Sequence, residues 1–443
     1  MRGLSTFRES FGGEIVLPGD SGYDEARAVW NGMADRRPAF VVRPAGVDDV
    51  VSALRFAREE ELLVAVRCGG HSIPGLSTCD DGIVIDLSRM RSVEVDPERR
   101  VARISGGSHL GDLDDAAQAH GLVCPVGVVS HTGVAGLTLG GGMGRLQRKH
   151  GLTIDNLLAV DLVTADGRSV RASADEHPEL FWGLRGAGAN FGIAISFEFR
   201  LHPLEHAITY GTVVHPLERA RELASLWREL AEDGPDELFL SFGAEGEEAY
   251  LTVLHSGPPN VAERDLANLR AFGPPTQDSI KAMPYLETQH LADESQAWGH
   301  RFYMKSAFLP ALTDDVVDVL VEHASRAPEE SESGFSTWAW GRRIADIPEE
   351  GTAFTGRSAA AWLAAEAMWD DPALDRDCRA WARAALDELA PFASDGRYVN
   401  DVAEVEADLA RTVYGDAKYE RLVAVKREWD PDNVFRLNQN IQP

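Results

Sequence analysis

Between residues 38 and 95 short apolar runs alternate with one amphipathic stretch. The runs 38–42, 62–66 and 82–87 have strand length, and 47–59 has helical spacing with Asp48 and Asp49 in its first turn, where the helix dipole favours acidic side chains. Strand, helix, strand, glycine-rich turn, strand is an α/β pattern. A second block, 92–203, predicts strands at 101–105, 157–164 and 193–201, helices at 110–120 and 179–184, and a hairpin turn at 165–168. Beyond about residue 204 the glycine clusters stop. Helical spacing at 217–231, 262–271 and 314–324 alternates with strand-like runs at 208–214, 238–242, 249–254 and 301–307. This predicts a separate α+β domain on an antiparallel sheet, and 443 residues are long for one core.

Composition narrows the class of partner. Lys and Arg number 43 against 71 Asp and Glu, a net charge of −28. Such a surface repels phosphate backbones and anionic lipid, so neither nucleic acid nor membrane is expected as a partner. Residues 1–18 lack the apolar core of a signal peptide, no apolar run reaches membrane-spanning length, and the four cysteines form no CxxC pair. A cytoplasmic location and no metal centre are therefore the expectation.

Candidate chemistry lies in the glycine-rich segments. The strand Val64-Ala65-Val66 runs into Arg67-Cys68-Gly69-Gly70-His71-Ser72-Ile73-Pro74-Gly75. Glycines at a strand end let backbone approach a ligand and leave N–H groups for an anion. The segment Ser130-His131-Thr132-Gly133-Val134-Ala135-Gly136-Leu137-Thr138-Leu139-Gly140-Gly141-Gly142-Met143-Gly144 has six glycines in its last twelve residues, a density that predicts neither a helix nor a strand interior. Arg145 stands where a GxGxxG dinucleotide fingerprint needs its third glycine, and no Walker loop is present. Further segments are 151–158 with Asn156, 179–193 ending in Asn190-Phe191-Gly192-Ile193, Tyr398-Val399-Asn400, and Phe435-Arg436-Leu437-Asn438-Gln439-Asn440.

In order and spacing these segments resemble the FAD-linked oxidases of the vanillyl-alcohol oxidase / p-cresol methylhydroxylase superfamily, in the berberine-bridge-enzyme-like / 6-hydroxy-D-nicotine-oxidase-like branch. The resemblance runs from about Pro38 to the end and is strongest over 38–203 and 396–443. It implies an α+β fold: a discontinuous two-subdomain FAD-binding domain of the PCMH type, 1–203 and 396–443, with an inserted substrate domain, 204–395, of antiparallel sheet plus helices. It implies FAD held covalently by His71, with Arg67, Cys68, Gly69, Gly70, Ser72 and Gly75 forming the phosphate loop. Ser130, His131, Thr132, Val134, Gly136, Gly140, Gly141, Gly142, Asn156, Gly192, Ile193, Asn438 and Asn440 complete the cofactor site it implies. Tyr398 and Asn400 match the branch's Tyr-x-Asn and are expected at both cofactor and catalytic positions, with His131 a third catalytic candidate. Many relatives add a cysteine link to the flavin; that position falls at Val129, so a single link is expected, with Cys124 a small buried apolar residue.

The catalytic base is less legible. Relatives use a Glu on the substrate-domain sheet or a Tyr, and the corresponding carboxylate position holds Ser336. Glu366, on the segment 360–369, could reach the same cavity but reads first as a solvated surface carboxylate; Tyr285, Tyr303 and Tyr398 are alternatives. Trp338, Trp340, Trp362 and Trp369 fit either a pocket lining or a core. The activity implied is hydride transfer from a small organic or natural-product substrate to flavin N5, with O₂ reduced to H₂O₂. An alternative is an oxygenating or cyclising tailoring enzyme of secondary metabolism, distinguished by ¹⁸O₂ label entering the product. Substrate identity and oligomeric state are not encoded in any motif.

Overall fold

The computed structural model describes residues 3–404 and 409–443. Three sheets organise the chain. The first has the order Glu14–Val16, Phe40–Arg43, Ile83–Asp86, Val64–Arg67. Its last three strands are parallel, joined through helix Val47–Glu59, and their residues are almost all buried, as parallel strands covered on both faces must be. The second is antiparallel, in the order Val93–Asp96, Val101–Ser105, Ile193–Arg200, Leu157–Val163, Ser169–Ser173.

The third sheet has eight strands, all from the middle of the chain. Its order is Gln277–Asp278, Ile208–Pro216, Glu248–His255, Leu238–Glu245, Glu332–Ala339, Ala361–Trp369, Arg301–Leu309, with Lys281–Met283 also paired to Ile208–Pro216. Helices Ala220–Asp233, Asp314–Ala324 and Asp375–Leu389 cover one face through Leu240, Phe242, Leu251, Phe335, Leu363 and Ala365. Alternation puts the other residues of each strand on the opposite face, which looks toward the glycine loops. Among the described residues no helix is long and apolar enough to cross a membrane.

Two expected elements differ. The glycine-rich stretch does contain a helix, Val134–Gly140. Val134, Ala135, Thr138 and Leu139 are buried along it, and this packing outweighs the low helix propensity of Gly136. The single helix expected over 262–271 is two, Pro259–Asp265 and Ala267–Ala271, broken at Leu266 (φ −94°, ψ 9°).

The C-terminal helix Leu409–Trp429 and the tail after it return to the antiparallel five-stranded sheet. Val413, Tyr414, Leu422, Trp429 and Ile441 join that sheet's core. A fully buried ion pair holds the tail: Lys426 Nζ donates to Asp430 (2.7 Å) and to the carbonyls of Asn190 and Phe435 (both 2.9 Å). Asp430 also accepts the amides of Val434 (2.8 Å) and Phe435 (2.9 Å). Removing one partner strands the other charge, so Lys426→Met is expected to lower stability by about 3 kcal/mol, read as a reduced urea midpoint at unchanged m-value.

Candidate active site

Two glycine loops meet backbone to backbone. A Cβ on Gly69 would lie 2.2 Å from the Gly133 nitrogen, and one on Gly133 2.3 Å from the Gly69 nitrogen, so both positions need glycine. Gly70 (φ 70°) and Gly75 (φ 71°) turn the first loop. Arg36 pins it by donating to the carbonyls of Pro74 (3.0 Å), Gly75 (2.7 Å) and Thr78 (3.0 Å), and Ser72 Oγ accepts from the Leu76 amide at 3.0 Å. Cys68 Sγ lies 3.2 Å from the Ser108 carbonyl, and burial pushes its thiol up to about 12, which makes it a space-filling group rather than a nucleophile.

His71 is held between these loops. Its ring stacks on Trp30 at 5.0 Å, with planes 15° apart. Its Nε2 is 2.7 Å from His131 Nδ1, and its Nδ1 has only a long contact, 3.4 Å, to Thr132 Oγ1. Burial, with His131 and His109 adding to it, lowers its pKa to about 3. The ring is therefore neutral at any physiological pH. Ser130 N and Oγ both donate to Asp293 (2.8 and 2.6 Å), which also binds His290 Nδ1 at 2.8 Å. This ties the second loop to a segment from the middle of the chain, and Trp298 of that segment packs on Gly70.

The Tyr398-Val399-Asn400 turn closes the far end of the glycine helix. Tyr398 Oη accepts from the Gly142 amide (3.0 Å) and from Asn400 Nδ2 (2.9 Å), and Asn400 also donates to the Leu137 carbonyl at 3.1 Å. A Cβ on Gly140 would lie 2.0 Å from Asn400 Oδ1, and one on Gly141 2.7 Å from the Phe354 ring. Burial raises the Tyr398 hydroxyl well above its ordinary range, which disfavours the phenolate a base would need.

Other expected site residues have different local roles. Arg67 is buried, and its guanidinium is committed to Asp86 (2.7 Å) and the carbonyls of Ala26 and Ala28. Asn156 donates to the His150 and Leu152 carbonyls and accepts from His202 Nε2 at 2.6 Å. Gly192 packs on Leu162 and Val163, and Ile193 is in the core of the first sheet. Asn438 Nδ2 binds the carbonyls of Ala189 and Phe435. Val134 is buried in the core, and nothing lies within 4 Å of a Cβ on Gly136. Cys124 is fully buried in the core of the second sheet; Val129 is half-buried at the start of the second loop.

The open face of the eight-stranded sheet supplies the opposite wall. Phe302, Met304, Phe308, Trp362, Ala364, Met368 and Trp338 share one apolar cluster with Trp30 and Tyr398. Strand register puts Glu366 on this face, opposite Met304 on one side and Gly334 on the other, with Glu245 opposite Gly334 in turn. The surface-carboxylate reading of Glu366 is thus overturned. Burial and the Glu245 charge push its pKa up to about 7. Sequence could have flagged it by parity, since Glu366 shares its face with Trp362 and Met368. Ser336 lies on the same face, bonded to Trp338 Nε1 at 2.9 Å. Of the other candidates, Tyr303 belongs to the helix-covered core and bonds Glu404, Tyr285 packs in a separate cluster, and Trp369 faces the helices through Asp375 at 2.8 Å. Trp340 is buried against Phe308 and Phe354.

Thr78 Oγ1, Thr138 Oγ1, Asn438 Oδ1 and Asn440 Oδ1, all in or near the cofactor segments of the sequence, are among the buried polar atoms without a partner in the protein among the described residues, which leaves hydrogen-bonding capacity for a bound polar cofactor such as FAD. Residues 38–173 match the FAD binding domain family, and residues 397–442 match the berberine and berberine-like family. The (R)-6-hydroxynicotine oxidase of Paenarthrobacter nicotinovorans is 35% identical over 453 residues, covering 98% of this chain and 97% of that protein. The crystal structure of 6-hydroxy-D-nicotine oxidase from Arthrobacter nicotinovorans superposes with a TM-score of 0.91 at 33% identity, over 98% of each chain. Glucooligosaccharide oxidase of Acremonium strictum, which carries a 6-S-cysteinyl, 8α-N1-histidyl FAD, shares the fold with a TM-score of 0.90 at 22% identity over 99% of each chain.

Proposed function

The chain belongs to the FAD-linked oxidoreductases, in their berberine-bridge-enzyme-like branch, and on that premise we propose that it is an oxidase of small organic amines with a flavin held covalently by His71 alone. FAD held in this site would supply the two-electron acceptor for the substrate hydride, with O₂ as the terminal oxidant giving H₂O₂. The chain's own residues bind, orient and move the proton.

His71 enters as a neutral imidazole. We assign its Nε2–H as donor to His131 Nδ1, which leaves the Nδ1 lone pair free for the covalent link. His131 and Thr132 thereby fix the ring's tautomer and orientation. Tyr398 and Asn400 brace the glycine helix and shape the cofactor-facing end of the pocket. Val129, at the position of the second link in many relatives, has no thiol to contribute.

Glu366 is the proton acceptor, and its placement is the observation that carries the substrate reading. It faces the pocket with Glu245 nearby, while the site-facing positions of strands Leu238–Glu245, Glu248–His255, Arg301–Leu309, Glu332–Ala339 and Ala361–Trp369 carry no Lys or Arg. Carboxylates framed by Trp338 and Trp362 attract a cation bearing an apolar body. An ammonium must lose a proton before hydride can leave its carbon, and a base titrating near 7 suits that task.

The test is anaerobic mixing of the holoenzyme with a panel of amines, 6-hydroxynicotine first, and with matched alcohols and sugars. Amines are expected to bleach the flavin and, in air, to release H₂O₂. Bleaching by sugars or alcohols alone overturns the amine assignment. Glu366 accepts the proton only when ionised, so kcat/KM is expected to rise with pH through about 7 and level off above it. A flat profile from pH 5.5 to 8.5 removes Glu366 from the role.

A further inference from the structure

A second carboxyl approaches Glu366 from outside the sheet. Asp401 directly follows the Tyr398-Val399-Asn400 turn and is 8% exposed. Its Oδ2 accepts from Trp362 Nε1 at 2.8 Å, and the Ser306 side chain is near enough to its carboxyl to favour the ionised form. Ser306 is directly opposite Ala364, and Met304 opposite Glu366, so Ser306 and Glu366 are diagonal neighbours on adjacent strands. Such positions are about 7–8 Å apart at the backbone, within reach of a Glu side chain lying along the sheet. Asp401 therefore meets the Trp362 end of the sheet face that carries Ser306, Ala364 and Glu366, near enough to Glu366 to feel its charge.

We propose that Asp401 and Glu366 form a coupled carboxyl pair that shares one proton near neutral pH, with Glu366 the member that meets substrate and Asp401 its positioning partner. This rests on the oxidase reading for its consequence in turnover but not for its existence. The groups facing the pair are few. Met304 and Gly334 flank Glu366 and carry no charge; Glu245 and Tyr250 lie beyond Gly334 and Gly243, and Tyr398 adjoins Asp401. Lys305, between Met304 and Ser306, belongs to the other side of its strand and pairs with Glu404 at 3.5 Å, and Arg397, four residues before Asp401, donates to the Ser306 backbone carbonyl at 3.2 Å. Two neighbouring carboxyls with no cation paired to either among the described residues cannot both ionise freely. Each is pushed up to about 7, chiefly by burial, with the Glu366 charge adding to the rise at Asp401.

The sign of the coupling follows. An ionised Asp401 makes ionising Glu366 harder, so removing its charge lowers the Glu366 pKa, and by linkage the reverse holds equally. The acid limb of turnover then belongs to the pair. In addition, Asp401 fixes the Trp362 indole, one wall of the pocket, to the turn that closes the glycine helix.

The test is infrared pH titration of protonated carboxyls in the oxidised, substrate-free holoenzyme. Wild type, Asp401→Asn and Glu366→Gln are compared, with Asp114→Asn identifying the enclosed Asp114, itself pushed up to about 8. Each single variant is expected to lose one carboxyl titrating near neutrality and to shift the survivor down by about one pH unit. In Asp401→Asn the acid limb of kcat/KM should shift down equally. If the surviving carboxyl titrates unmoved in both variants, the pair is independent and the proposal fails. Should one variant not fold, the other decides alone. An enzyme that oxidises no amine sinks the functional reading while leaving the infrared result to judge the pair.

Discussion

In His71→Ala, flavin is expected to leave the protein entirely on acid precipitation, where wild-type protein keeps its yellow colour in the pellet. Acid unfolds the chain and dissolves every non-covalent contact, so only a carbon–nitrogen bond retains the flavin. The physical case rests on His71 being neutral, immobilised and unobstructed. Burial lowers its pKa to about 3. Trp30 fixes its plane, and His131 and Thr132 orient its two nitrogens. Native His71→Ala should still bind flavin, because the glycine cradle and the buried polar set around it do not depend on the imidazole. The outcome also tests the number of links. Colour that stays in the His71→Ala pellet would reveal a second attachment and overturn the single link; colour absent from the wild-type pellet would end the covalent assignment.

In Glu366→Gln, kcat/KM for amine oxidation is expected to fall about 10³-fold, within the range of about 10²–10⁴ that a positioned general base contributes. That corresponds to about 4 kcal/mol of transition-state stabilisation. Glutamine keeps the shape and the position between Met304 and Gly334 but accepts no proton at neutral pH. The loss should therefore fall on flavin reduction measured by stopped flow, and the rise of kcat/KM through pH 7 should vanish with it. A loss confined to KM, with reduction rate and pH profile intact, would make Glu366 a binding group and leave another group to take the proton. Tyr398 is disfavoured for that because burial raises its hydroxyl.

The close approach of the two glycine loops was legible because its requirements are local. A glycine that must let two backbones touch, as Gly69 and Gly133 do, is written in the sequence as glycine. The Tyr-x-Asn turn likewise announced Tyr398 and Asn400, although the contact of Asn400 with Gly140 belongs to the fold. Arg67 and Asn156 stand in the expected segments, yet their side chains are spent on Asp86 and on loop carbonyls. A motif fixes where backbone passes; it does not fix where each side chain points. The substrate half was read poorly for a related reason. Glu366 in isolation is one of 71 acidic residues, and solvation is the ordinary fate of such a group.

Most of the strand and helix pattern, the FAD-linked family, and the positions of the histidine and glycines assigned to the cofactor site can be read from the sequence. These follow from short-range constraints: backbone conformation, periodicity, and the absence of a side chain where chains must meet. Tertiary structure alone decided which ring His71 stacks on, which nitrogen it leaves free, and that Glu366 faces an enclosed wall beside Glu245 and Asp401. Desolvation and charge coupling depend on groups far apart in the chain: 35 residues separate Glu366 from Asp401 and 121 separate it from Glu245. Only folding brings them close enough to alter one another's protons.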